Sequence, residues 1–177
     1  MYKKLENFQK SGLWRGFDKI NSFFISLSAA ALTLMVFATV ISRYCFKKDI
    51  FGSEEVILLF AWWMYFLGGI TGSQEDSHIK ADMIDVFCKN QYIVDMTKGI
   101  AKALEFVIFS LCTYMTILLL QTNMVKMPRT TGLKIPYLAS QIPIAIGFFG
   151  MALFALYWAL YFMARAGERR KGGYEEK

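Results

Sequence analysis

The chain has 177 residues and a formal net charge of +6, and 55% of its residues are hydrophobic. These hydrophobic residues gather into four long runs without a charged side chain, which excludes an ordinary soluble domain. The lysines and arginines flank the runs instead of forming one patch, so the positive charge does not indicate a nucleic-acid-binding protein.

Residues 1–19 predict an amphipathic helix that lies in the inner membrane interface before the first span. Leu13, Phe17 and Ile20 continue an apolar face at steps of four and three residues, and charged residues fill the opposite face. Trp14 flanks this face, so we expect Trp14 and Phe17 to anchor the helix at the interface. A disordered basic tail is the alternative.

The four apolar runs predict four transmembrane helices. The runs cover Ile20–Ser42, Val56–Gln74, Phe106–Val125 and Ile135–Ala164. About 20 apolar residues cross the hydrocarbon core, and only helices and closed barrels satisfy their backbone there. We therefore predict an all-α integral membrane protein with one domain. Its transmembrane region covers residues 20–165 and contains spans at about 20–43, 54–74, 99–125 and 136–163. No small-x-small cleavage site follows the first run, so we expect it to remain as an anchor.

The basic residues predict the orientation of the spans. Fourteen of the 20 lysines and arginines lie before span 1, between spans 2 and 3, or after span 4. The positive-inside rule then places both termini in the cytoplasm, including a charged tail at residues 166–177. The same basic excess indicates attraction to anionic phospholipid.

The connection between spans 2 and 3 predicts a second interfacial helix. Apolar and charged residues separate onto two faces over about residues 79–89, with His78 and Phe87 at the interface. Span 3 should then form a long helix over about residues 92–125 whose first turns project into the cytoplasm. A stripe in these turns marks either a solvated face or a face that docks on another protein: Asp95, Lys98, Lys102 and Glu105.

Two prolines stand near the start of span 4. Pro136 suits the first turn of a helix, where its missing N–H costs nothing. Pro143 follows about two turns later and should kink the span near its outer end. We therefore expect the direction of the chain to change at these two positions.

The spans offer packing surfaces and no chemistry of their own. No charge lies within an apolar run, and the chain has one histidine, so the sequence predicts no catalytic, substrate-binding, metal or haem site. Cys45, Cys88 and Cys112 fall in different neighbourhoods, which argues against a disulfide or zinc site. This interpretation leaves packing as the role of the spans.

Glycines and aromatic residues are the candidates for that packing. Gly68 and Gly72 form a GxxxG motif that allows close helix approach, with chance as the alternative. Aromatic residues are expected to face other helices or a partner protein, with lipid exposure as the alternative. The full set expected to pack is Trp62, Trp63, Phe66, Gly68, Gly69, Gly72, Phe148, Phe149 and Trp158.

Two adjacent acids, Glu54 and Glu55, open span 2. Ser53 is the expected N-cap, which places both acids in the first helical turn, where they complement the helix dipole. Arg43 ends span 1 at the same surface, so we predict that an Arg43–Glu54 or Arg43–Glu55 ion pair pins two helix ends. A catalytic role of the acids is the disfavoured alternative.

Several short motifs recur in a characteristic order. They are SRYCF at 42–46, SEE at 53–55, FLGG at 66–69, SHIKADMID at 77–85 and TGLKIPYLASQIPIAIG at 131–147. In this order they resemble the small, four-helix membrane subunit of TRAP transporters, the tripartite ATP-independent periplasmic solute transporters. The family pattern maps onto Arg43, Tyr44, Glu54, Glu55, Leu67, Gly68, His78, Pro136, Pro143 and Gly147. Two departures are Phe51-Gly52, where a tryptophan often stands, and the shifted spacing of Asp82.

The resemblance implies a noncatalytic scaffold subunit in the bacterial inner membrane. It implies pairing with a large multispan subunit that holds the sodium and substrate sites, and bracing of that subunit's elevator-type movement. A periplasmic binding protein would deliver a small organic anion, either a carboxylate, including sugar acids, or a sulfonate. The chain itself would hold no cofactor. From their placement, we hypothesise that the outer loops at 43–53 and 126–136 touch the binding protein. The residues alone leave open a membrane anchor for another complex, such as a redox assembly.

Overall fold

Four long helices make up almost all of the structure, a computed structural model that describes residues 12–75 and 91–175. They are α1 (Gly12–Cys45), α2 (Ser53–Gln74), α3 (Gln91–Lys126) and α4 (Leu138–Glu175). Each contains a stretch that is long and apolar enough to cross a membrane. The prediction of an all-α protein with four spans is therefore confirmed, and the helix predicted at 92–125 is observed at Gln91–Lys126.

Two helices differ from the sequence predictions at their ends. α1 runs without a break from Gly12 through the first span, so residues 12–19 are turns of the spanning helix and not a separate interfacial helix. No proline interrupts this stretch, and its apolar face continues in phase with the span. α4 likewise continues to Glu175, through most of the predicted tail. Residues 1–11 and the helix predicted at 79–89, with His78 and Phe87, lie outside the described residues.

The helices pack as a layer in the order α1, α2, α4, α3. α1 packs along α2, α2 along α4, and α4 along α3. The two central helices, α2 and α4, run parallel, and each outer helix runs antiparallel to its neighbour. α4 buries 39% of its most apolar stretch and α2 buries 11%, whereas the outer helices α1 and α3 bury 6% each.

This order gives the layer two distinct ends. The loop end holds the α1–α2 connection at 46–52 and the α3–α4 connection at 127–137. The terminal end holds the starts of α1 and α3 and the ends of α2 and α4. Contacts across the layer connect residues at matching depth, as Asn123 Nδ2 of α3 shows by donating to Gln141 Oε1 of α4 at 2.9 Å near the loop end.

Glycines allow α2 and α4 to approach closely. A Cβ added to Gly147 of α4 would lie 2.6 Å from Phe66 Cβ of α2, closer than such atoms approach in proteins. On α2, a Cβ added to Gly69 would lie 2.9 Å from Met151 Sδ, whereas one added to Gly68 would meet nothing within 4 Å. The close contact within the chain is therefore made by Gly69 and not by Gly68, and packing of Gly68 against a partner stays a prediction.

The two prolines have different places at the start of α4. Pro136 lies two residues before the helix, and its carbonyl accepts a hydrogen bond from the Ala139 N–H at 3.0 Å. Pro136 therefore leads into the helix and does not bend it, because the helical path starts after it. Pro143 lies inside α4 and is fully buried, and the kink expected there stays a prediction.

Alanine at Gly147 should destabilise the chain, whereas alanine at Gly68 should not. Both changes gain about 1 kcal/mol of helix propensity, but only Gly147→Ala forces Phe66 away, at a cost of about 1–3 kcal/mol for overpacking. We expect a lower midpoint of heat-induced aggregation in detergent for Gly147→Ala than for Gly68→Ala. Equal midpoints would contradict the observed packing of α4 on α2.

Candidate functional site

The candidate functional features are surfaces and helix contacts at the two ends of the layer. Among residues 12–75 and 91–175, no group of three His, Cys, Asp or Glu side chains is placed to hold a metal ion. The polar contacts between helices concentrate at the loop end and the terminal end.

The α3–α4 connection folds into a small hairpin at the loop end. The Thr130 N–H donates to Ile135 O at 2.9 Å, and the Tyr137 N–H donates to Pro128 O at 3.1 Å. Arg129 and Pro136 form an isolated β-bridge. We call residues 128–137 the outer hairpin; its tip is formed by residues 131–134.

The carboxylate of Glu55 holds the tip of the outer hairpin. It accepts hydrogen bonds from Thr130 Oγ1 at 2.6 Å, Gly132 N at 2.7 Å and Leu133 N at 2.8 Å. Bonds to an ionised acceptor are roughly twice as strong as neutral ones. Glu55 therefore joins the first turn of α2 to the connection between α3 and α4.

Two glycines make this contact sterically possible. A Cβ on Gly132 would lie 2.9 Å from Glu55 Oε1, and a Cβ on Gly52 would collide with the Leu133 side chain. Gly52 also has a left-handed backbone, with φ at 76°, which suits glycine. Gly52 is the N-cap of α2, so the cap lies one residue before the predicted Ser53, and Ser53 itself is buried.

The predicted ion pair between Arg43 and an acid of α2 is wrong. Arg43 Nε lies 2.8 Å from Asp49 Oδ1, so the end of α1 pairs with the loop that directly follows it. The loop folds back because Ser42 O accepts the Lys48 N–H at 3.2 Å, which brings Asp49 beside Arg43. Glu55 is engaged by the outer hairpin instead. Arg43, Glu54 and Glu55 do line one open cleft of about 470 Å³, together with Asp49 and Gly132.

At the terminal end, polar side chains tie α1 and α4 to the last turns of α2. Asn21 Nδ2 of α1 donates to Leu67 O at 2.9 Å and to Thr71 Oγ1 at 2.7 Å. Trp158 Nε1 of α4 donates to Ser73 O at 3.1 Å. The last carbonyls of a helix have no partner within it, so the Trp158 indole supplies a buried hydrogen-bond donor to the end of the α2 backbone.

The charged stripe at the start of α3 is not simply a solvated face. Asp95 is 3% exposed and Lys102 is 6% exposed. Asp95 Oδ2 lies 3.6 Å from Arg165 Nε of α4, and Lys102 Nζ lies 2.9 Å from Glu105 Oε2. These two stripe residues are buried because α4 extends alongside the first turns of α3.

Trp14 and Phe17, the expected interfacial anchors, contact α4. The ring of Trp14 lies 5.1 Å from that of Phe154, edge to face, and Phe17 lies 5.8 Å from the same ring. Through these contacts the start of α1 reaches past α2 and touches α4. They border two adjoining apolar grooves of about 340 and about 330 Å³, which share Phe17, Ile70 and Ile146.

The aromatic residues predicted to pack divide into inward and outward groups. Phe66 and Phe148 meet edge to face, with ring centroids 5.2 Å apart, and join α2 to α4. Trp62 stacks on Phe66 but is 39% exposed, and Phe149 is 56% exposed. Trp63 lines one of the apolar grooves. The adjacent tryptophans therefore face different sides of α2, and only the outward group is available to lipid or a partner.

Sequence reasoning missed the outer hairpin, Asn21 and the glycines of α4. The contact made by Asn21 could have been suspected from the sequence, since Asn21 is a polar residue at the very start of an apolar run. Gly147 and Gly150 also had a signal, because small residues three apart fall on one helix face. The amides of Gly132 and Leu133 had none, because every residue other than proline carries a backbone N–H.

Comparison with known proteins identifies a family and a relative of this chain. The family model described as "Tripartite ATP-independent periplasmic transporters, DctQ component" matches residues 32–165, which is most of the chain. A protein of Vibrio cholerae serotype O1, the "C4-dicarboxylate TRAP transporter small permease protein DctQ", is 37% identical over 68 residues. That match covers 38% of this chain and 29% of the relative.

Neutralising Glu55 should loosen the outer hairpin, whereas neutralising Glu54 should not. Glu55→Gln leaves the amides of Gly132 and Leu133 with a weaker acceptor, and hydrogen bonds to charged groups contribute about 1.5–3 kcal/mol. We expect amide hydrogen exchange in a peptide covering the hairpin to accelerate about tenfold or more, as 1.4 kcal/mol corresponds to a factor of ten. Glu54→Gln removes the same charge from the same turn, so equal acceleration in both variants would contradict the role of Glu55.

Proposed function

Because the chain belongs to the family of DctQ components of TRAP transporters, we propose that it is the noncatalytic scaffold of a sodium-driven organic-anion importer. Family membership makes it a small permease subunit of a TRAP transporter and a multi-pass membrane protein of the inner membrane. The sodium coupling, the transported anion and the scaffold role belong to the proposal.

The main support for a scaffold role is that the four helices form a layer whose apolar faces are largely exposed. The outer helices α1 and α3 each bury 6% of their most apolar stretch, so the layer presents two broad apolar faces. Outward aromatic side chains such as Trp62 and Phe149 add area to these faces. Lipid covers such surfaces at no cost, and a larger membrane subunit can replace that lipid through close packing. We propose that the large TRAP subunit, with the sodium and substrate sites, covers part of the layer.

Contacts at both ends suit the layer for bracing a moving partner. Glu55 fixes the α3–α4 connection to α2 at the loop end, and Asn21 and Trp158 fix α1 and α4 to α2 at the terminal end. An elevator-type movement needs a fixed frame against which the transport domain slides. A layer fastened at both ends gives such a frame, with phospholipid filling the faces that the partner leaves free.

The basic residues support an orientation with both termini in the cytoplasm. Fourteen of the 20 lysines and arginines precede span 1, separate spans 2 and 3 or follow span 4 in the sequence. The loop end then faces the periplasm, where a binding protein delivers the anion. The relative from Vibrio cholerae is named for C4-dicarboxylates, so a dicarboxylate is one candidate within the proposed class of carboxylates and sulfonates.

The orientation predicts which positions react with a reagent outside the cell. In a chain whose cysteines are replaced by serine, a cysteine at Lys134 should be labelled in intact spheroplasts by a membrane-impermeant maleimide. A cysteine at Lys19, which is also exposed but lies at the terminal end, should react only after the membrane is opened. The reverse pattern would place the loop end in the cytoplasm and contradict the proposal.

The scaffold role predicts a stable complex and a transport defect. Co-expressed with the large subunit, the chain should copurify with it in mild detergent, and sodium-driven uptake in liposomes should require both chains. Uptake of a labelled dicarboxylate, sugar acid and sulfonate would identify the anion. Uptake by the large subunit alone at the full rate, or a chain that binds a redox cofactor by itself, would contradict the proposal.

A further inference from the structure

An apolar groove runs along one side of the layer toward the terminal end. It is made of the two adjoining grooves of about 340 and about 330 Å³, which we together call the terminal groove. α1 and α4 form its walls and α2 forms its floor, and Phe17, Ile70 and Ile146 border both parts. Ile70 on the floor is buried, whereas Phe17 and Ile146 on the walls are exposed, so the groove is open along its outer side.

The lining of the terminal groove suits hydrocarbon. Its walls and floor consist mainly of Ile, Leu, Phe and Trp side chains, and they belong to helices that contain membrane-spanning stretches. The polar side chain of Asn21 also borders the groove, but its Nδ2 donates to Leu67 O and Thr71 Oγ1 of α2. The groove therefore has little to offer a polar ligand.

The length of the terminal groove matches one leaflet of a bilayer. Along α1 its lining extends from Trp14 to Phe24, and along α4 from Ile146 to Tyr157. At 1.5 Å per residue these stretches are about 15 and about 17 Å long. The hydrocarbon core of a bilayer is about 30 Å thick, so the acyl chains of one leaflet reach about 15 Å inward. The groove thus extends from the terminal end to about the middle of the membrane.

The volume of the terminal groove is too small for a helix of a partner. A helix is about 10 Å across with its side chains, so a 15 Å length of helix occupies roughly 1,200 Å³. The two parts of the groove hold about 340 and about 330 Å³. A helix would rest on the rim and leave a void above Ile70, and a void forfeits dispersion contacts. An acyl chain is thin enough to follow the floor.

Positive charge lies at the depth where a lipid would place its phosphate. Arg15 directly follows Trp14, at the terminal end of the groove, and Lys19 is exposed one turn further along α1. The same two turns contain one acid, Asp18. The start of α1 therefore has a surplus of positive charge, which attracts a phospholipid headgroup.

We propose that an acyl chain of a phospholipid, from the leaflet at the terminal end, occupies the terminal groove and fastens the start of α1 to α4. The protein's own contact there is narrow, since Trp14 and Phe17 both meet the ring of Phe154. A chain that lies along the groove contacts both walls and the floor at once. The inference requires only that the protein spans a membrane, so its failure leaves the proposed transport function standing.

Filling the groove is the first arm of the test. Ile146→Trp places an indole where both parts of the groove meet, and Ile142→Trp makes the same change one turn earlier on α4, outside the lining. The two isoleucines are 45% and 41% exposed. Native mass spectrometry of the full chain in mild detergent should show one phospholipid retained by the parent and by Ile142→Trp. The retained fraction should fall about tenfold in Ile146→Trp, because the indole replaces several CH₂ groups and their dispersion contacts. Equal retention in both variants overturns the proposal.

Photolabelling of the unmodified chain is the second arm, which does not depend on the folding of a variant. The chain is placed in vesicles that contain phosphatidylglycerol with a diazirine halfway along one acyl chain. Leu153 of the groove and Ile108 of α3 are both exposed and lie at matching depth, since Gly99 of α3 packs against Met163 of α4. We expect several times more label on Leu153 than on Ile108. Even labelling indicates only ordinary surrounding lipid and overturns the proposal.

The same labelling with the large subunit present identifies the occupant. If the lipid belongs to the groove, label on Leu153 persists in the complex. Loss of that label, together with a crosslink from a cysteine at Leu153 to the large subunit or to another segment of this chain, shows that protein covers the groove and overturns the proposal.

Amide hydrogen exchange tests the fastening of α1. Removal of lipid by detergent should accelerate exchange about tenfold in a peptide that covers residues 14–24, and added phosphatidylglycerol should restore the slower rate. A peptide from the middle of α3 should change little, because α3 does not line the groove. Exchange at the start of α1 that ignores lipid would overturn the fastening role.

Discussion

The parallel contact between α2 and α4 supports the rest of the layer, because α1 packs on α2 and α3 packs on α4. In lipid, burying apolar side chains gives little driving force for association, so close approach and hydrogen bonds have to supply it. Gly69, Gly147 and Gly150 give the close approach, and the Trp158 indole adds a hydrogen bond to the end of α2. A change in this contact would therefore disturb all four helices.

The two ends of the layer are fastened by different chemistry. At the loop end one ionised carboxylate, Glu55, gathers a hydroxyl and two backbone amides of a short hairpin. At the terminal end neutral donors on Asn21 and Trp158 reach the backbone of α2, and Asp95 meets Arg165 between α3 and α4. Charged groups thus stay near the ends, and the apolar middle is left to packing. A layer built in this way is a frame, which is the role that we propose for it beside a large transport subunit.

The sequence predicted the helices well and the contacts between them poorly. Charge-free runs of bilayer length gave the four spans because that signal depends only on each run itself. The outer hairpin was not predictable, since Glu55 bonds to backbone amides 77 and 78 residues away that have no sequence signature. Arg43 pairs with Asp49 because the α1–α2 connection folds back on the end of α1. The spacing of charges in the sequence does not reveal this fold of the loop. The GxxxG motif correctly indicated that a glycine of α2 makes a close helix contact. That this glycine is Gly69 and not Gly68 depends on the side of α2 on which α4 packs, which the motif does not specify.

The distance between α1 and α3 tests the layer most directly. Spin labels at Phe37 of α1 and Leu119 of α3, both exposed and at similar depth, would report it by pulsed electron paramagnetic resonance on the complex with the large subunit. The order α1, α2, α4, α3 puts three steps of about 8–10 Å between the two helices, so we expect a mean distance beyond about 20 Å. A mean distance of about 10–15 Å, as expected for helices that adjoin in a closed four-helix bundle, would contradict it.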